Sequence, residues 1–292
     1  MKILISKLPE SGWWQSGIPK YADNPAMVEG AVPNMQLIKV ERDNLINCIK
    51  ETGNEVIEIN FPNKLDEEIP QHDFVFVRDS FISNQNGIAV ILRAYIPERR
   101  IENKIIIEYL EGLNMQVVKI ADKSGIKADG GEFYFCKEDN VLFSGLNRNT
   151  SSGIEQVAQA MNVNKVIVLK GEGFHLDTFF SPVLGKNGEI AALIICNDLL
   201  GHDSKKELNI FSSSHGIPIL DIPPEDAIGV KGNVGNFAVN ALALPGVLIR
   251  PNHFTNNRIE KELGLLGVKQ IITPTSQFQL SGGSVHCLTN EI

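Results

Sequence analysis

The sequence predicts an α/β fold in a single domain, built from five repeats around a central axis, and three observations predict it. Short β-branched runs alternate with helix-length segments along all 292 residues. No Pro/Gly/Ser-rich linker, low-complexity tract or charge block divides the chain. Polar residues punctuate the strands at Asp79, Asp129, Asp177, Asn236 and Cys287, about 50 residues apart, a period that suits one supersecondary unit per repeat.

The elements follow in order. Ile3 to Ile5 reads as the first strand, and Met35 to Thr52 as a helix with its apolar residues near helical spacing and a stop at Gly53. Phe74 to Val77 and Ile88 to Leu92 read as strands, Glu98 to Gly112 as a helix that stops at its glycine, and Val117 to Ile120 as the next strand. Val141 to Ser144, the helix Ser151 to Met161 and Val166 to Leu169 repeat the pattern. So do Ala191 to Ile195 with the helix Ser204 to His215 before Gly216, and Val247 to Arg250 with Phe254 to Leu266 before Gly267 and the strand Ile271 to Thr273. In such a ring of repeats, equivalent strand ends converge, and residues distant in sequence meet in one pocket.

Composition bounds the function. With 43% apolar residues and a mean hydropathy near zero, the chain reads as a soluble globular protein. A formal charge of −8 argues against a nucleic-acid binder, which needs a Lys/Arg surplus. Cys48, Cys136, Cys196 and Cys287 show no CxxC and no close pairing, which suits reduced thiols and offers no structural zinc. The N-terminal apolar run is too short for a signal segment, and no apolar stretch reaches the length of a membrane span. The expected compartment is the cytoplasm.

Cys287 stands just past the pair Gly282-Gly283, where backbone approaches a ligand closely, and is placed as a nucleophile. Phe174-His175-Leu176-Asp177-Thr178 puts His175 and Asp177 at i, i+2, on one face if the segment is extended, although a structural histidine fits the same tripeptide. Asp79 ends an apolar run in Phe76-Val77-Arg78-Asp79, either marking the surface or reaching into a pocket to hold a cation. Asp129 opens Asp129-Gly130-Gly131-Glu132, which is also what a tight turn looks like. The remaining cysteines read as core, and His286, beside Cys287 in an extended strand, points to the opposite face. Trp13 and Trp14 with Tyr21 to Asn24 form a loop able to cover a pocket or merely to lie on the surface.

One thiol, one imidazole and more carboxylates than are needed to orient it suggest covalent attack on a cationic, planar carbon. A guanidinium satisfies both conditions, since carboxylates that orient it also preserve its cationic, attackable form.

In these four segments, taken in order, the chain resembles the guanidino-group-modifying superfamily of arginine and agmatine deiminases, dimethylarginine dimethylaminohydrolases, peptidylarginine deiminases and amidinotransferases. The resemblance covers most of the chain and implies the pentein fold, a five-fold pseudosymmetric α/β propeller. It implies Cys287 as nucleophile, His175 as general acid and base, Asp129 as the residue orienting His175, and Asp79 with Asp177 as the guanidinium clamp. Arg148, in Gly145-Leu146-Asn147-Arg148-Asn149-Thr150, resembles a substrate-carboxylate grip, and Arg99 a second one. No metal or cofactor is implied, the partner is a small guanidino compound, and a homodimer is compatible.

The substrate implied is free arginine or a methylated arginine, giving citrulline with ammonia or an alkylamine. The HLD motif leans toward arginine deiminase, amidinotransferase or peptidylarginine deiminase chemistry. The ending Val285-His286-Cys287-Leu288-Thr289 is more like agmatine or peptidylarginine deiminases, while the length and the segment from Asp129 to Thr150 resemble dimethylargininases. The acids of Asp129-Gly130-Gly131-Glu132 are exchanged relative to the common EGGD. Amidino transfer to an amine and a non-catalytic binding protein of the same fold are the alternatives.

Overall fold

The structure is a computed structural model that describes residues 1–14, 25–68, 71–230 and 233–292. Among the described residues, five three-stranded sheets share one plan. An inner strand runs antiparallel to a middle strand, a helix follows, and an outer strand returns parallel to the middle one.

Three repeats run without interruption. They are Phe81–Ser83, Ile88–Ile91, helix Glu102–Gly112 and Gln116–Lys119; then Phe133–Cys136, Val141–Gly145, helix Ser151–Met161 and Lys165–Leu169; then Phe180–Leu184, Ile190–Ile195, helix His202–His215 and Ile219–Asp221. Leu242–Leu244, Val247–Arg250, helix Asn257–Leu265 and Lys269–Ile272 make another. The fifth is closed by the last strand: Thr289–Glu291 is the inner strand beside Lys2–Ser6, with helix Met35–Glu51 and outer strand Glu55–Ile59.

Local chemistry sets the helix ends. Asn34 and Thr150 are N-caps whose side chains accept from backbone N–H groups in the first turn. Ile38, Leu45 and Ile49 are buried at helical spacing along one face of Met35–Glu51, as the sequence predicts. Gly53, Gly216 and Gly267 stand just beyond their helices.

The inner strands are buried except at the half-buried Phe135 and Leu184, and neighbours among them touch: Thr289–Glu291 meets Phe81–Ser83, and Phe180–Leu184 meets both Phe133–Cys136 and Leu242–Leu244. Apolar packing fills the space between sheets and helices, including Phe143 between Phe180 and Phe211 at ring separations of 4.9 and 5.5 Å.

Two expectations need correction. Phe74 to Val77 is not a strand but a 3₁₀ turn, His72–Val75, followed by a further turn. All four residues are buried, so an apolar run without alternation looks like a strand while its backbone bonds locally, Phe76 N–H to the Asp73 carbonyl at 2.8 Å. The polar punctuation also precedes each inner strand rather than following one, and its fourth member is Asn240, just before Leu242–Leu244, not Asn236. Asn236 instead donates to Asp226 at 3.0 Å.

Candidate active site

The starts of the inner strands bring Asp79, Asp129, His175, Asp177, Asn240 and Cys287 together. The backbone between Phe76 and Asp79 is fixed by the Cys287 segment: Arg78 N–H donates to the Cys287 carbonyl at 3.3 Å, and the Asn290 side-chain amide donates to the Val77 carbonyl at 3.2 Å. The glycine turn ahead of Cys287 packs against this segment, since a Cβ at Gly283 would collide with the Phe76 ring. That close approach is why the position is glycine.

Cys287 is 3% exposed. Its sulfur lies 3.3 Å from Asp177 Oδ2 and accepts from Asn240 Nδ2 at 3.3 Å. Burial, and then the Asp177 and Asp79 charges, hold the thiol well above its usual pKa. A thiolate here therefore needs a cation beside it.

Asp177 is fully buried in the turn Leu176–Thr178, and burial pushes its carboxyl up to about 7. Its Oδ2 meets His286 Nδ1 at 2.8 Å, while Oδ1 has no hydrogen-bond partner among the described residues. The HLD segment is extended only at His175 and turns at Leu176, yet His175 and Asp177 both reach the same site.

His175 Nε2 lies 3.1 Å from Asp129 Oδ2, and its Nδ1 lies 3.8 Å from Asp79 Oδ1. Burial disfavours the imidazolium, but the Asp79 and Asp129 charges outweigh it and the net pKa is raised. For Asp129, burial opposes ionisation, but the His175 hydrogen bond and charge prevail, so its carboxyl stays below the ordinary value. The acid exchange in Asp129-Gly130-Gly131-Glu132 thus leaves Asp129 as the histidine's partner. Glu132, wholly buried, instead accepts from the backbone N–H groups of Asn147 and Arg148 at 2.8 and 2.6 Å.

Arg148 sits at the rim. Its Nη1 is 3.6 Å from Asp129 Oδ2 and 3.4 Å from His175 Nε2, and its guanidinium lies over the Phe174 ring at 5.2 Å. Arg99 departs from the carboxylate-binding place expected of it. It is 7% exposed, donates to Asp79 Oδ2, and donates to Glu102 Oε1 at 2.8 Å and the Asp73 carbonyl at 2.9 Å. Three partners behind Asp79 engage the guanidinium, so it backs the carboxylate rather than facing a ligand.

Sequence reasoning missed Asn240 and misdirected His286. Asn240 lies 63 residues past Asp177 and 47 before Cys287, so a strictly even spacing passes it by; its signal is the buried strand that follows. His286 sits in a turn rather than an extended strand, with Leu288 N–H bonded to the Ser284 carbonyl at 3.0 Å, so its ring swings to Asp177 instead of away. Trp13 is buried on Phe76 and Phe278, with Nε1 donating to the His72 carbonyl at 2.9 Å; Tyr21 to Asn24 lie outside the described residues. Among the described residues, no helix is long and apolar enough to cross a membrane.

Comparison with solved structures finds the same architecture over the whole chain. The N-terminal domain of ArgZ, bound to substrate and described as an arginine dihydrolase from cyanobacteria, aligns at 21% identity with a TM-score of 0.79, covering 99% of this chain and 96% of that one. AgrE, unliganded, gives 20% and 0.79, with 99% of this chain on 39% of that one. A dimethylarginine dimethylaminohydrolase carrying a 4-chloro-2-hydroxymethylpyridine adduct gives 17% and 0.71, covering 100% and 99%. These TM-scores establish the fold alone, the pentein propeller. Comparison with curated protein sequences gives no match. The family model for eukaryotic N,N dimethylarginine dimethylhydrolase matches residues 32–292, and the chain therefore belongs to that family of guanidino-group hydrolases.

Proposed function

We propose that this chain is a cysteine-dependent hydrolase of a guanidino C–N bond whose substrate is free L-arginine, with citrulline and ammonia as products. The observation that carries the reading is the buried Oδ1 of Asp177, which has no hydrogen-bond partner among the described residues, on a carboxyl group whose Oδ2 lies 3.3 Å from the Cys287 sulfur. A desolvated carboxyl oxygen of this kind requires an N–H donor, and a guanidinium supplies one while presenting its carbon to the sulfur. Asp79 takes a second N–H edge, and Arg148 at the rim takes the substrate carboxylate.

Each residue then has one task. The cation lowers the cost of ionising Cys287, whose proton passes to water and whose sulfur bonds to the guanidinium carbon to give a tetrahedral adduct. His175, held protonated by Asp79 and Asp129, passes its proton to the departing nitrogen, and ammonia leaves as the C–N bond breaks. The neutral imidazole then takes a proton from water, which adds to the thiouronium carbon. Breaking the C–S bond restores the thiolate, and loss of the adduct's hydroxyl proton to water releases citrulline.

Methylated arginine is the second reading, favoured by the family match over residues 32–292. Each methyl removes an N–H that Asp177 or Asp79 would accept, and this is why arginine comes first. The test is to incubate the purified protein with arginine, monomethylarginine, dimethylarginine and agmatine and to measure ureido product, ammonia and alkylamine. Citrulline and ammonia from arginine are expected. Release of alkylamine alone moves the substrate to dimethylarginine, and no ureido product from any compound overturns the hydrolase reading.

A further inference from the structure

The reaction above leaves His286 without a task, although it is fully buried and shares an oxygen of Asp177 with the nucleophile. Its Nδ1 faces that oxygen at 2.8 Å, and its Nε2 has no hydrogen-bond partner among the described residues. His286 also borders a cavity of about 310 Å³ lined by Arg78, Tyr134 and Glu291 and by the strand ends Ser83 and Leu184. The inner strands start at the site and finish here, so the cavity lies behind the site, at the other end of the ring. None of Cys287, Asp177, His175 or Asp79 lines it.

The contact between Nδ1 and Oδ2 holds a single hydrogen. Either Asp177 is a carboxylic acid that donates to Nδ1, with the imidazole proton on Nε2, or it is a carboxylate that accepts from Nδ1–H. We infer that His286 is the proton outlet of Asp177: as a guanidinium cation docks against Oδ1, the carboxyl proton passes to Nδ1 and the proton on Nε2 passes to water in the rear cavity. The inference rests on the guanidinium reading of the site.

The step balances. The O–H bond of Asp177 and the Nε2–H bond break, while an Nδ1–H bond and an O–H bond to water form. The imidazole stays neutral throughout and changes only its tautomer. Departure of the product runs the same transfers backwards, so the pair is reset each turnover.

The surroundings favour this arrangement. Burial, with the charges of Arg78 and His175, keeps the His286 pKa well below its ordinary value, so the ring carries one proton, not two. Tyr134 stacks on it at 4.1 Å and Arg78 Nε donates to its carbonyl at 3.3 Å, while Arg78 pairs with Glu291 at 2.5 Å. Asp177 faces Asp79, Cys287, His175 and Arg78, and burial keeps it the acid until a cation arrives. His286 is thus a positioning residue for protons: it touches the clamp and not the substrate.

The experiment uses Cys287→Ala protein, which binds without turning over, labelled with ¹⁵N-histidine and titrated with L-arginine near pH 6. The expected result is a switch of one histidine, absent from Cys287→Ala/His286→Asn protein, from the Nε2–H to the Nδ1–H tautomer. Calorimetry in buffers of different ionisation heat should show close to one proton released per arginine bound. Binding with an unchanged tautomer, or with no proton released, overturns the inference alone. Failure of arginine to bind overturns the guanidinium reading and the inference with it.

Discussion

The sulfur of Cys287 and the Oδ2 oxygen of Asp177 are 3.3 Å apart, so the proposed nucleophile lies directly against the proposed guanidinium clamp. Replacing the thiol should therefore separate binding from chemistry. Cys287→Ala should lower turnover of arginine by about 10³-fold or more and leave its affinity, read by calorimetry, unchanged or tighter.

The neutral reagent iodoacetamide should label Cys287 slowly at pH 7 and about tenfold faster per pH unit on the way up, because the thiol titrates well above its usual range. A cationic chloroacetamidine should label it quickly at pH 7, since its amidinium stands in for the substrate cation. Asp79→Asn should erase that advantage. Equal neutral-pH rates for the two reagents in the parent protein would remove the cation from the account of thiol activation.

Asp177 should cost stability in exchange for function. Its folded pKa of about 7 lies above the ordinary carboxylate value of 3.8, so its contribution is fully present below that ordinary value and is lost as pH rises through about 7. Asp177→Asn cannot ionise and escapes this loss. Its Tm relative to the parent should climb by several °C between pH 4 and pH 7, at roughly 2–4 °C per kcal/mol, and stay level above, while activity collapses.

The two arginines should separate by substrate. Arg148→Ala should raise KM for arginine roughly tenfold or more and leave agmatine, which has no carboxylate, nearly unaffected. Arg99→Lys acts through Asp79, so kcat/KM should fall by a similar factor for both compounds. A defect in Arg99→Lys confined to arginine would return Arg99 to the substrate's carboxylate.

Gly131 lies where a Cβ would collide with the His175 imidazole. Gly131→Ala should stay folded by circular dichroism yet lose on the order of 10²-fold in kcat, because a small displacement of the general acid is enough.

Most of the repeat plan and of the candidate site's membership was legible in the sequence because each depends on local signals. Helix caps, apolar spacing and the carboxylates beside glycine pairs all lie within a few residues of one another. The inner strands were not legible. Phe81–Ser83, Leu242–Leu244 and Thr289–Glu291 are three residues long and buried on both faces, so they carry no alternation to read.

Arg99 and His286 were misplaced for a different reason. Their partners, Asp79 and Asp177, lie 20 and 109 residues away, and no local pattern tells a buried ion pair from a ligand contact. Asn240 was displaced by the longer third interval, which includes the two-stranded pair Gly229–Val230 and Asn233–Val234.

The strand that follows the nucleophile pairs with the first strand of the chain, Ile3 opposite Glu291. Contacts of such long sequence separation form late in folding, after the loop-closure entropy of nearly the whole chain has been met. Cys287 consequently acquires its carboxyl neighbours only when the ring closes. A newly made or partly unfolded chain carries an ordinary cysteine, and the one that waits for a cation comes into being with the last pairing of the fold.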